Sequence, residues 1–116
     1  MNENRVSDYL SHMQQAATDA CAFVEGLSQD DKRTQQAVIL SLIIIGEAAT
    51  KLMDHYSEFA NAHSVIPWRS MRGMRNRIAH GYFDINLDVV WSTVQTALPE
   101  LLKQLPAVRN DANDED

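Results

Sequence analysis

A single cysteine, Cys21, stands in the 116 residues. That excludes an internal disulfide and a cysteine-built metal cluster, and Cys21 itself falls on the apolar side of a helical pattern, as a small core residue. No apolar leader opens the chain: Met1-Asn2-Glu3-Asn4-Arg5 runs into a polar, amphipathic stretch. The longest apolar run, Ala37 to Gly46, is short of the roughly 20 residues that a membrane span requires. There are no internal repeats. His55 and His63 lack acidic or cysteine neighbours at ligand spacing, and no acidic cluster suggests bound magnesium, so neither a metal nor a cofactor is expected. These absences describe a cytoplasmic, single-domain protein without a membrane partner. The domain is placed at residues 1–109, and residues 110–116 are read as a disordered acidic tail.

The net charge of −6 is the wrong sign for a nucleic-acid binder, but it is unevenly spread. Asp111, Asp114, Glu115 and Asp116 supply four of the negative charges, so the rest of the chain stands at only −2 (−6 less −4). Four of the ten basic residues lie together at Arg69, Arg72, Arg75 and Arg77. Local field, more than total charge, steers a polyanion.

Helical periodicity accounts for nearly all of the chain. Val6, Tyr9, Leu10, Met13, Ala16, Ala17, Ala20, Val24 and Leu27 recur at steps of three and four, one face of a first helix ending near Leu27. A second helix is expected from Asp30 or Asp31, acids suited to a helix N-terminus, to about Phe59. Its middle, Ala37 to Ile45, is apolar all round except for Ser41. Such a helix is buried on more than one side, and in a chain this short the second side predicts a second subunit. Glu47, after that run, is either a solvated acid or a partner for one of the arginines. A third helix runs from Pro67 to about Ala79, stopped by Gly81. A last pattern begins near Asn86 and carries Leu87, Val90, Trp91, Val94, Leu98, Leu101, Leu102 and Leu105, with a kink or restart expected at Pro99. The fold class is all-α: an up-and-down bundle of four to five helices, homodimeric.

The stretch from Pro67 to Tyr82 holds the chemistry. Arginine grips a phosphate through a fixed fork of N–H donors, and histidine moves a proton near neutral pH. Arg75 and His80 are therefore the minimum parts for cutting RNA, whose 2′-hydroxyl is a built-in nucleophile. Asn76 and His80 are i and i+4 and share a helix face. Arg75 and His80 are five apart, roughly 140° around an ideal helix, so they converge only if the helix end distorts, the arginine reaches round, or a second subunit completes the cleft. A charged His80 at the helix C-terminus suits a proton donor to the leaving 5′-oxygen. The base for the 2′-hydroxyl is either a second His80 or water. Arg72 and Arg77 are candidates for sequence-independent phosphate contacts. On spacing alone the motif is weak, because an arginine-rich helix with a histidine before its terminal glycine is often only a solvated face with a cap.

The pattern Arg75-Asn76-x3-His80 resembles that of HEPN-domain ribonucleases, and its extension to Tyr82 is similar to the HepT toxins of HepT–MntA toxin–antitoxin pairs. The resemblance takes in Asp8-Tyr9-Leu10, Gly46-Glu47-Ala48, Ile66-Pro67-Trp68-Arg69, Arg72 through Tyr82, Val89-Val90-Trp91 and Leu98-Pro99-Glu100. It implies a helical homodimer with a composite cleft, a metal-independent ribonuclease activity that is toxic, and an MntA-like nucleotidyltransferase antitoxin that adds AMP to the motif tyrosine, here Tyr82. The acidic tail lies outside the resemblance. Two other readings remain open at this level: a non-catalytic HEPN-like scaffold partnering a nucleotidyltransferase, and nucleotide binding without cleavage.

Overall fold

The computed structural model describes residues 5–26 and 28–114, and Leu27, the expected end of the first helix, lies outside them. Six α-helices follow one another: α1 (Arg5–Gly26), α2 (Lys32–His55), α3 (Ser57–Ala62), α4 (Trp68–His80), α5 (Leu87–Ser92) and α6 (Leu98–Asp114). A 3₁₀ turn at Tyr82–Asp84 follows α4, and a π-helical turn at Thr93–Ala97 joins α5 to α6.

The starts of two helices follow from side-chain caps. The Asp31 carboxylate accepts the Thr34 N–H at 2.9 Å and opens α2. The Asn86 carboxamide oxygen accepts from the N–H groups of Asp88 and Val89 and opens α5. In α1, Val6, Leu10, Met13, Ala16, Ala17 and Ala20 form the buried stripe that their spacing predicts. It packs on α2, while α4 packs on another side of α2 and α6 on another side of α1. Pairings along the helices give the directions. Ser7 bonds to Asn113, Gln14 to Arg109 and Cys21 to the Val94 carbonyl, so α1 runs antiparallel to α6. Tyr9 meets Tyr56 at 6.4 Å between ring centroids, which sets α1 antiparallel to α2. The result is an up-and-down bundle whose fourth rod is α5, the π turn and α6.

α2 is the central helix. By length and composition it is long and apolar enough to cross a bilayer, although its uninterrupted apolar run is not. Here it is a core helix instead: Val38, Ile39, Leu42, Ile45, Ala48, Ala49 and Leu52 are buried between its neighbours. Buried Ser41 is satisfied by donating to the Ala37 carbonyl at 3.0 Å. The apolar girdle is only partly covered, with Leu40 56% and Ile44 38% exposed.

Two expectations are corrected and a third is met. α2 stops at His55 rather than near Phe59, because Tyr56 leaves helical geometry (φ −138°, ψ 50°) and the chain restarts as α3. The restart expected at Pro99 is found: α6 opens at Leu98, which puts Pro99 in its first turn. Proline lacks an N–H and its ring crowds the carbonyl four residues back; the wider π turn just before it absorbs the defect within one continuous rod. Residues 110–114 are not a disordered tail. α6 continues to Asp114, with Val108 and Ala112 extending the buried row of Leu101 and Leu105, and Asp111 meeting His63 Nε2 at 3.0 Å. Residues 115–116 lie outside the described part of the chain.

Candidate active site

α4 carries the motif, and two contacts fix it. At its start the buried Trp68 indole N–H donates to the carbonyls of Ala60 at 2.9 Å and His63 at 3.2 Å. At its middle it meets α2 at Gly46. A Cβ there would stand 2.8 Å from the Met71 carbonyl oxygen and would collide with Arg75 Cβ. Only the missing side chain lets the helices approach this closely, and that approach lays Arg75 across α2.

Arg75 is thereby held from below. Its guanidinium pairs with the Glu47 carboxylate and donates to Thr50 Oγ1 at 3.2 Å. The Thr50 hydroxyl donates in turn to the Gly46 carbonyl at 2.8 Å, which leaves its lone pairs facing the arginines. Arg75 Nε is buried without a partner among the described residues. Arg72, one turn earlier, joins the same network: Nε reaches Thr50 Oγ1 at 3.4 Å and Nη2 reaches Asp54 at 2.5 Å. Of the alternatives for Glu47, the pairing with an arginine is the one observed. Thr50 and Asp54 were not singled out from sequence. Their signal is a polar row, Glu47-x2-Thr50-x3-Asp54, that follows directly on the helix's apolar run.

The other half of the motif is open. Asn76 and His80 are exposed on one face of α4, and the His80 ring forms no hydrogen bond with the described residues. No hydrogen bond joins Arg75 to His80. Gly81 caps α4 by donating to the Arg77 carbonyl at 2.9 Å, and the following turn presents Tyr82, 49% exposed. Arg72 and Arg77 lie on different flanks of α4. Arg72 lies against α2, whereas Arg77 lines clefts beside Met74 on the flank facing Ile85 and Thr93. Among the described residues no three His, Cys, Asp or Glu side chains group as a metal centre.

Residues 8–108 match the HepT-like ribonuclease family. The chain belongs to that family. A Thermococcus cleftensis protein named "Probable ribonuclease HepT" is 40% identical over 79 residues, covering 68% of this chain and 69% of its own. A Caldanaerobacter subterraneus protein named "Putative RNase" is 36% identical over 104 residues, 86% of this chain and 90% of its own. A Methanocaldococcus jannaschii protein of the same description is 37% identical over 86 residues, 74% and 69% respectively. No solved structure matches significantly. For this HepT-like chain, the family match spans α1 through most of α6, so the site described above lies wholly inside it.

Proposed function

We propose that this HepT-like protein is a metal-independent endoribonuclease, the toxin of a toxin–antitoxin pair, acting in the cytoplasm as a homodimer. The observation that carries the reading is the division of labour on α4: Arg75 fixed by Glu47 and Thr50, and His80 left free. Arg75 binds the scissile phosphate and stabilises the charge that builds on it. The RNA 2′-hydroxyl attacks phosphorus, the bond to the 5′-oxygen breaks, and His80 gives that oxygen its proton. The products are a 2′,3′-cyclic phosphate and a 5′-hydroxyl. Asn76 orients the substrate from the face it shares with His80, and Glu47 keeps Arg75 in place.

Arg75 and His80 diverge around one helix, so each cleft draws on two copies of α4. The partly uncovered Leu40 and Ile44 on α2 supply apolar contact for that pairing. The partner subunit's His80 then takes the proton of the 2′-hydroxyl. Arg72 and Arg77 add phosphate contacts on opposite flanks, which makes affinity fall steeply with salt. Tyr82, exposed and two residues beyond His80, is the site at which a nucleotidyltransferase antitoxin attaches AMP. The added bulk and negative charge exclude the RNA phosphate.

The test is RNA cleavage in EDTA by wild type, Arg75→Ala and His80→Ala, on protein whose intact mass shows no AMP. Cleavage by wild type that both substitutions abolish supports the assignment. If unmodified wild type leaves a broad set of RNAs intact, the chain is instead a non-catalytic scaffold for the nucleotidyltransferase.

A further inference from the structure

The turn after His80 lies beside the first two turns of α2. Lys32, Gln35, Gln36 and Ile39 recur at i, i+3, i+4 and i+7 and share one helix face. With Tyr82 and Phe83 they line an open cleft of about 310 Å³. Phe83 is 98% exposed, more than any other large apolar side chain among the described residues. Tyr82 meets it edge-on, with centroids 6.0 Å apart and planes at 82°. The Gln36 carboxamide is exposed and makes no hydrogen bond with the described residues. Gln35 uses one N–H on the Gln29 carbonyl at 2.7 Å and keeps its oxygen free.

We propose that this cleft receives one nucleobase of the RNA, from a nucleotide flanking the phosphate presented to Arg75 and His80. Phe83 stacks on the base and Gln36 hydrogen-bonds to its edge, with the Lys32 ammonium against the adjoining phosphate. The inference rests on the ribonuclease reading and deepens it by naming a specificity element. Each part matches what an unpaired base offers: a π-face that stacks on any aromatic ring, and an edge of donors and acceptors that a carboxamide can read.

Binding of short oligoribonucleotides, identical except for one base beside the cut, is measured by fluorescence anisotropy in a His80→Ala background, where nothing is cleaved. Phe83→Ala and Phe83→Leu should each weaken binding roughly tenfold, and Phe83→Trp should preserve it. Gln36→Leu should flatten the preference among the four bases. Light scattering on each variant reports the subunit state. Binding by Phe83→Leu equal to that of the parent overturns the proposal, since bulk alone would then suffice. Conversion of a dimer to monomers by Phe83→Ala also overturns it, because the ring would then belong to a subunit interface. The ribonuclease reading fails separately. If unmodified wild type does not cut but Phe83-dependent binding persists, the base cleft stands without the nuclease; cleavage with Phe83-independent binding removes the cleft alone.

Discussion

The two halves of the motif on α4 differ in what surrounds them. Arg75 is 24% exposed, seated over Gly46 and tied to Glu47 and Thr50. The side chains of Asn76, His80, Tyr82 and Phe83, within two turns, are exposed and make no hydrogen bond with the described residues. A group that must grip phosphate in a fixed orientation is positioned before substrate arrives, which lowers the cost of organising it during the reaction. A group that must exchange protons with substrate and solvent gains from staying accessible. The held half is a product of helix packing within one chain. In the proposed reaction the open half is completed from outside the chain, by RNA or a second copy.

The largest expected effect separates the halves by two readouts. Arg75→Ala and His80→Ala should both lower cleavage by about 10²–10⁴-fold. Only Arg75→Ala should also lower stability, by about 1 kcal/mol. Glu47 is half-exposed, so the lost ion pair is screened by solvent, and much of the cost is the arginine stem's packing. His80→Ala should change the unfolding free energy measured in urea by less than about 0.5 kcal/mol. Equal stability losses would mean that His80 is held as Arg75 is.

Gly46→Ala attacks the held half through the backbone. Alanine favours a helix over glycine by about 1 kcal/mol, but the new methyl meets the Met71 carbonyl and Arg75 Cβ, neither of which is a flexible side-chain end. Overpacking of this kind costs about 1–3 kcal/mol. The net expectation is destabilisation with α4 pushed away from α2 and cleavage impaired. A variant with a higher melting temperature and full activity would show that the contact can relax. Leu40→Glu and Ile44→Glu address the second copy: both positions are exposed in one chain, so sedimentation should shift from dimer to monomer, the melting temperature should fall only by what association contributed, and cleavage should fall. Monomers that cut at the normal rate would place the whole site within one chain.

Much of the held half was legible in the sequence, and its physical reason was not. Periodicity located α1, α2 and α4, and the caps at Asp31 and Asn86 were readable as residue types. The pairing of Arg75 with Glu47 joins residues 28 apart, and sequence left it as one of two alternatives. The role of Gly46 depends on how close a second helix comes, which no local pattern records. Two ends are misplaced for different reasons. The break at Tyr56 has no proline or glycine to announce it, so helical periodicity extends the helix to Phe59, whereas the boundary at residue 109 rests on the acidic composition beyond it. The acidic run after Asn110 hid the continuing buried positions Val108 and Ala112, although their spacing from Leu105 was visible. Phe83 was passed over because one aromatic residue in a turn is unremarkable until its exposure is known.

The smallest effect concerns the foundation of the open half. Asp31 caps the turn of α2 that carries Lys32, Gln35 and Gln36. The Thr34 hydroxyl first, and the Thr34 N–H second, bond to the carboxylate and hold its pKa below the usual value. A depressed folded-state pKa means that the unfolded chain takes up this proton first as pH falls. The cap's contribution is therefore fully present above the ordinary aspartate pKa, about 3.9, and is lost as pH drops through the lower folded value. Asp31→Asn keeps an acceptor for Thr34 and removes the titration, so its stability should be flatter over that acid range. Asp31→Ala should be less stable at neutral pH and should loosen the Phe83 cleft while leaving Arg75 seated. Thermal melts between pH 2 and 7 check the first expectation, and amide exchange along residues 32–36 checks the second; protection unchanged in Asp31→Ala would show that tertiary packing, not the cap, fixes the start of α2.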